Sequence, residues 1–103
     1  MDQKIKNRVF AEAIAHLQQR YTRFELARWF SLGMDNTEAK RVASTVINRK
    51  TYPEGHAHKR GANVSDVLAV GLLDYLHGQG YDLSTLEFDE SGKVTGLKQR
   101  PIL

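Results

Sequence analysis

Apolar residues return at helical spacing in four stretches of this chain, and a fifth stretch near its end alternates in the manner of a strand pair. Ile5, Val9, Phe10, Ala13, Ile14 and Leu17 form the first stripe and predict a helix over residues 3–19. Thr22-Arg23-Phe24-Glu25 has the form of a capping box, so a second helix is expected over 23–31. It buries Phe24, Ala27 and Phe30 with part of Leu26 or Trp29, and stops near Gly33, which takes a left-handed conformation cheaply. In 36–50, Ala39, Val42, Ala43, Val46 and Ile47 mark a third helix, capped by Asn36 or Thr37, with Glu38 complementing the dipole in its first turn.

Residues 51–61 have no apolar period, one proline and two glycines, and read as a basic, partly aromatic loop. Asn63 or Ser65 caps a fourth helix through His77. Its Val64, Val67, Leu68, Val70, Leu72, Leu73, Tyr75 and Leu76 leave little polar surface, so it is expected to be central and buried. Gly71 in its middle lowers helix propensity and predicts another element packed closely against it. Residues 86–89 and 93–97 flank Glu90-Ser91-Gly92 as a hairpin, which must pack on the helices, extend a partner's sheet or pair in a dimer. The expected fold is therefore mostly α, of the α+β class: one domain over 1–103 with four helices, a helix-turn-helix-like pair and a C-terminal β-hairpin.

That pair is formed by the second and third helices, and it would place the third in a major groove. The common motif has a small residue four positions before the turn glycine, where this chain has Trp29; Ala27 supplies the close contact in a longer-turn variant. Between the apolar positions of the third helix stand Lys40, Arg41, Ser44, Thr45, Asn48 and Arg49, side chains able to donate to phosphates and reach base edges. Arg41, Ser44, Thr45 and Asn48 are the candidate base readers. Arg49, Lys50, Lys59 and Arg60 are candidate phosphate contacts from the helix end and the loop. An ordinary amphipathic core helix with a solvated face gives the same alternation.

Charge sharpens this reading. The formal net charge is +3, yet residues 1–60 carry 12 Lys and Arg against 6 Asp and Glu, whereas residues 61–103 carry 3 against 6. A polyanion would meet the first half of the chain. Lys4, Lys6 and Arg8 oppose the dipole at the start of the first helix, which is explained either by solvation or by an anionic partner.

The absence of cysteine excludes disulfides, thiolate metal sites and cysteine nucleophiles. Met1 to Arg8 is not followed by an apolar run of signal-peptide length, and no segment approaches a membrane span, so a cytoplasmic protein is expected. His56 and His58 have the spacing of a two-imidazole clip without an evident third ligand, and no metal or other cofactor is expected. There is no phosphate loop or nucleophile elbow, so no catalytic residue is assigned; Asp74 is the acid to inspect first. His16 reads as a boundary residue, and His77 near a helix C-terminus as one that gains from the dipole when protonated.

The functional expectation is a small regulatory or accessory protein that binds nucleic acid, DNA in preference to RNA, through 36–50. The alternative is a non-enzymatic adaptor or inhibitor whose basic face meets an acidic protein. Tyr21, Phe24, Trp29 and Phe30 carry more aromatic surface than one short helix can turn inward. A homodimer using the hairpin or the exposed side of the second helix is expected on that ground.

Overall fold

The computed structural model describes residues 2–34 and 36–101, without the side chains of Asn36 and Ser44. It has four helices and a two-stranded antiparallel hairpin, the α+β arrangement that the periodicity predicts.

Helix α1, Gln3–Leu17, is capped by Asp2, whose carboxylate accepts from the Ile5 amide at 2.9 Å and brings negative charge to the end where Lys4 and Lys6 oppose the dipole. Asn7, Phe10, Ile14 and Leu17 form its buried face. Helix α2, Arg23–Phe30, begins with the predicted capping box: Thr22 Oγ1 accepts from the Glu25 amide at 3.1 Å, and Glu25 Oε1 accepts from the Thr22 amide at 3.0 Å. Its buried residues are Leu26, Ala27 and Trp29, which corrects the expected set. Phe24 stands exposed and Phe30 half-buried. The cause lies in the connection before the helix, which turns Tyr21 inward so that its ring meets Trp29 edge-on at 5.1 Å and draws the Leu26 and Trp29 side to the core.

Leu32 and Gly33 carry the left-handed turn after α2, with φ of 56° and 74°. A Cβ on Gly33 would stand 2.7 Å from the Phe88 ring, so the turn is pressed against the hairpin as well as bent. The third helix starts as α-helix over Asn36–Val42, widens to a π-helix over Ala43–Asn48 and closes with an α turn, Arg49–Thr51; the whole of 36–51 is called α3. The capping role expected of Asn36 lies outside the described residues. Ala39, Val42 and Ile47 are buried. Val42 and Ile47 stand five positions apart, which an unbroken α-helix would turn away from each other and the wider π turn brings back to one side.

Helix α4, Val64–Gly78, opens on a second capping box, between Asn63 and Asp66. It is not the central helix that its composition predicts. Val70 is fully buried, and Val67, Leu73 and Leu76 pack on the core, but Val64, Leu68, Leu72 and Tyr75 face outward. The helix lies over α1 and the first strand, and those elements cover one of its two apolar stripes.

Strands β1, Tyr81–Phe88, and β2, Val94–Gln99, form a longer hairpin than expected. In its register Asp82 faces Lys98 and Glu87 faces Gly96, so Leu83 to Leu86 bulge out against Leu97 alone. The bulge sends both Leu83 and Leu86 inward, three positions apart. Its amide and hydroxyl groups find side-chain and backbone partners: Leu83 N donates to Tyr21 Oη at 3.0 Å, Lys98 N donates to Thr85 Oγ1 at 2.8 Å, and Thr85 Oγ1 donates to Asp82 O at 2.7 Å. Phe10, Leu17, Leu26, Ile47, Val70 and Leu83 meet in the core, at least one from each helix and from β1.

Candidate nucleic-acid interface

Helices α2 and α3 pack against each other, through both the α and the π portions of α3. Because Ala39, Val42 and Ile47 face inward, the polar residues between them line the outer side. Lys40 and Arg41 are exposed, and Thr45, Asn48 and Arg49 are half-exposed. The Ser44 side chain lies outside the described residues.

Two of these groups are already engaged within α3. Glu38 clasps the Arg41 guanidinium, with Nε 3.1 Å from each carboxylate oxygen and Nη2 on Oε1, and this pairing raises the Arg41 pKa above its ordinary value. Thr45 Oγ1 donates back to the Arg41 carbonyl at 2.8 Å, a bond that suits the widened helix.

Lys50 and Lys59, expected as phosphate contacts, turn inward. Lys50 Nζ sits 2.5 Å from Asp66 Oδ2, with side-chain exposures of 12% and 11% for the pair. Asp66 also accepts from the Asn63 amide at 2.8 Å, so one carboxylate ties the end of α3 to the cap of α4. Lys59 Nζ donates to the Lys50 carbonyl at 2.8 Å, and Arg60 N donates to the Arg49 carbonyl at 3.0 Å. These bonds fold the loop 52–63 back on the C-terminal end of α3, and the Arg60 side chain remains exposed beside Arg49.

The same loop is fastened to α1 by Asn7, a residue that no motif in the sequence singles out. Asn7 Oδ1 accepts from the Ala62 amide at 2.9 Å and from Gln3 Nε2 at 2.8 Å, while its Nδ2 donates to Glu54 Oε1 at 2.9 Å. An asparagine at an inward position of an amphipathic helix, three residues before Phe10, is the signal that points to it. Lys4, Arg8, Tyr52, Glu54 and Lys59 stand with Asn7 around an open groove of about 370 Å³ between α1 and the loop. Tyr52 stacks on His56, with ring centroids 4.1 Å apart. His56 Nδ1 accepts from the His58 amide at 3.0 Å. Among the described residues no three His, Asp or Glu side chains gather as a metal set.

The remaining histidines lie elsewhere. His16 Nδ1 meets Asp74 Oδ1 at 2.5 Å, which gives Asp74 a structural partner. His77 Nδ1 lies 3.0 Å from Arg100 Nη1, which donates to it, and 3.1 Å from Tyr21 Oη. Burial, then the charges of Arg100, His16 and Arg20, hold the His77 pKa below its ordinary value, with Asp74 opposing them. Whatever the helix C-terminus gives a protonated His77, burial and the facing arginine outweigh it and favour the neutral ring. No helix is long and apolar enough to cross a membrane among the described residues. No family model matches the chain, and no curated protein or solved structure shows a match to it.

Proposed function

We propose that this chain is a small, non-enzymatic regulatory or accessory protein that binds nucleic acid in the cytoplasm, DNA in preference to RNA, through the outer face of α3 and the loop folded onto its end. The observation that carries the reading is the set of outward cations, the exposed Lys40 and half-exposed Arg49 on α3 and the exposed Arg60 on the loop folded onto its end, around a helix whose Ala39, Val42 and Ile47 are taken up by the core. Lys40 and Arg49 bracket Thr45 and Asn48 along α3, and the roughly 12 Å wide major groove of DNA admits a helix. A helix of this kind enters that groove but not the deep, narrow groove of A-form RNA. Asn48 and Thr45 lie between the cations and are the base readers in this reading, with Arg41 free to exchange Glu38 for phosphate. Lys50 and Lys59 hold the loop in place and contribute to binding only indirectly.

The test is a fluorescence-anisotropy titration with labelled mixed-sequence duplex DNA, single-stranded DNA and RNA, comparing the parent chain with an Arg49→Glu/Arg60→Glu double variant. Duplex binding that the double reversal weakens at least about tenfold supports the reading. Equal binding by parent and variant removes this face from nucleic-acid contact, and the absence of binding at low salt transfers the basic face to an acidic protein partner.

A further inference from the structure

Helix α4 carries a second surface whose chemistry is the opposite of the first. Val64, Leu68, Leu72 and Tyr75 recur on one side of it and are 70%, 62%, 53% and 63% exposed. Gly71 lies in the same stripe, and a Cβ placed there would meet nothing within 4 Å. Glycine is less favourable than alanine within a helix, and the folded chain makes no use of the missing methyl group. Beside the stripe is an apolar hollow of about 230 Å³ that Leu72 shares with Trp29, Phe88 and Val94. Leu32 and Val94 on its rim are 49% and 53% exposed.

We propose that this face is the seat of a second copy of the chain, with the two α4 helices packed antiparallel about a two-fold axis that passes between Gly71 and Leu72. About that axis Leu68 of each copy meets Tyr75 of the other, and Leu72 of each fills the gap over the other's Gly71. The face is then complementary to itself, as a two-fold interface requires, and the glycine has its use in the close approach of the two backbones. Counted as whole residues, Leu32, Val64, Leu68, Leu72, Tyr75 and Val94 expose on the order of 700 Å² in each copy, the same order as the roughly 800 Å² per partner of a standard stable interface. Charge does not oppose the contact. The two carboxylates of α4 are engaged within the chain, Asp66 by Lys50 and Asp74 by His16, and the helix carries no lysine or arginine. The surface is centred on α4, which composition does not suggest, and meets the hairpin and the end of α2 only at its rim, through Val94 and Leu32; the inference is independent of nucleic-acid binding.

Sedimentation equilibrium of the full chain, with circular dichroism as the check on folding, measures the first consequence. The parent chain is expected to be a dimer, and Leu68→Glu, at a position already exposed in the monomer, is expected to weaken association at least about a hundredfold while keeping the helical spectrum. Cross-linking measures the second. The chain has no cysteine, so Leu68→Cys and Tyr75→Cys chains mixed under mild oxidation are expected to give the mixed disulfide in excess over either homodisulfide. A monomeric parent chain, a dimer unaffected by Leu68→Glu, or a predominant homodisulfide of the Leu68→Cys chain would each overturn the proposal.

Discussion

Replacing Lys50 with methionine separates an anchoring role from a nucleic-acid contact. The substitution keeps an unbranched side chain of similar length and removes the ammonium group that meets Asp66 at 2.5 Å. Asp66, with an 11% exposed side chain, would keep the Asn63 amide at 2.8 Å as its remaining close donor on that oxygen. Breaking a fully buried ion pair costs about 3–5 kcal/mol, because the surviving charge stays desolvated. The slight solvent access here lets water replace part of the lost ammonium, so about 2–4 kcal/mol is expected. For a domain of this size that lowers the melting temperature by roughly 10–20 °C. Urea unfolding followed by circular dichroism gives the value, and a cycle with Asp66→Asn gives its origin. The double variant is expected to be more stable than the sum of the single effects by at least about 1 kcal/mol, because removing both charges leaves neither buried alone. A Lys50→Met chain within about 0.5 kcal/mol of the parent, or an additive cycle, would refute the anchoring role.

Two further predictions concern the hairpin and its support. Tyr21→Phe removes the acceptor of the Leu83 amide in the β1 bulge, where Leu83 is fully buried; a loss of about 1–3 kcal/mol in urea unfolding is expected, with faster hydrogen exchange at that amide, and an unchanged exchange rate would contradict the contact. His77, with its folded pKa below the ordinary value of 6.5, leaves the unfolded chain the better proton acceptor as the pH drops through that value. Its contribution to stability is therefore complete above about pH 6.5 and declines below it. His77→Gln keeps an acceptor for Arg100 and is expected to flatten the pH dependence of the urea midpoint between about pH 7.5 and 5.5; identical slopes for parent and variant would contradict this.

The elements that sequence conveys well are those governed by local chemistry. Thr22 with Glu25 and Asn63 with Asp66 form reciprocal caps that depend on residues three apart, and both helices begin where those residues stand. The α1 stripe is similarly local. What stays hidden depends on partners distant in the chain. Apolar residues surround α4, and periodicity cannot say that α1 and β1 cover only one side of it. The first half of β1 is illegible because Leu83 and Leu86 are both inward at a spacing that no regular strand uses, and the bulge that permits it rests on Tyr21, 62 positions away. The π segment of α3 is likewise set by the placement of Val42 and Ile47 in the core. Within the candidate interface, residue type identifies the basic face, but whether each cation looks outward depends on tertiary partners. Arg49 and Arg60 remain at the surface, while Asp66 and the Lys50 carbonyl draw Lys50 and Lys59 in.

The most direct test of the nucleic-acid reading is the salt dependence of duplex binding, measured by anisotropy from low to physiological salt. Contacts from Lys40, Arg41, Arg49 and Arg60 to four phosphates predict a log-log slope of about −3.6 for each bound chain, and a slope of about −1.8 once Arg49 and Arg60 are both reversed. An affinity indifferent to salt, or a slope that the double reversal leaves unchanged, would contradict phosphate binding by this face.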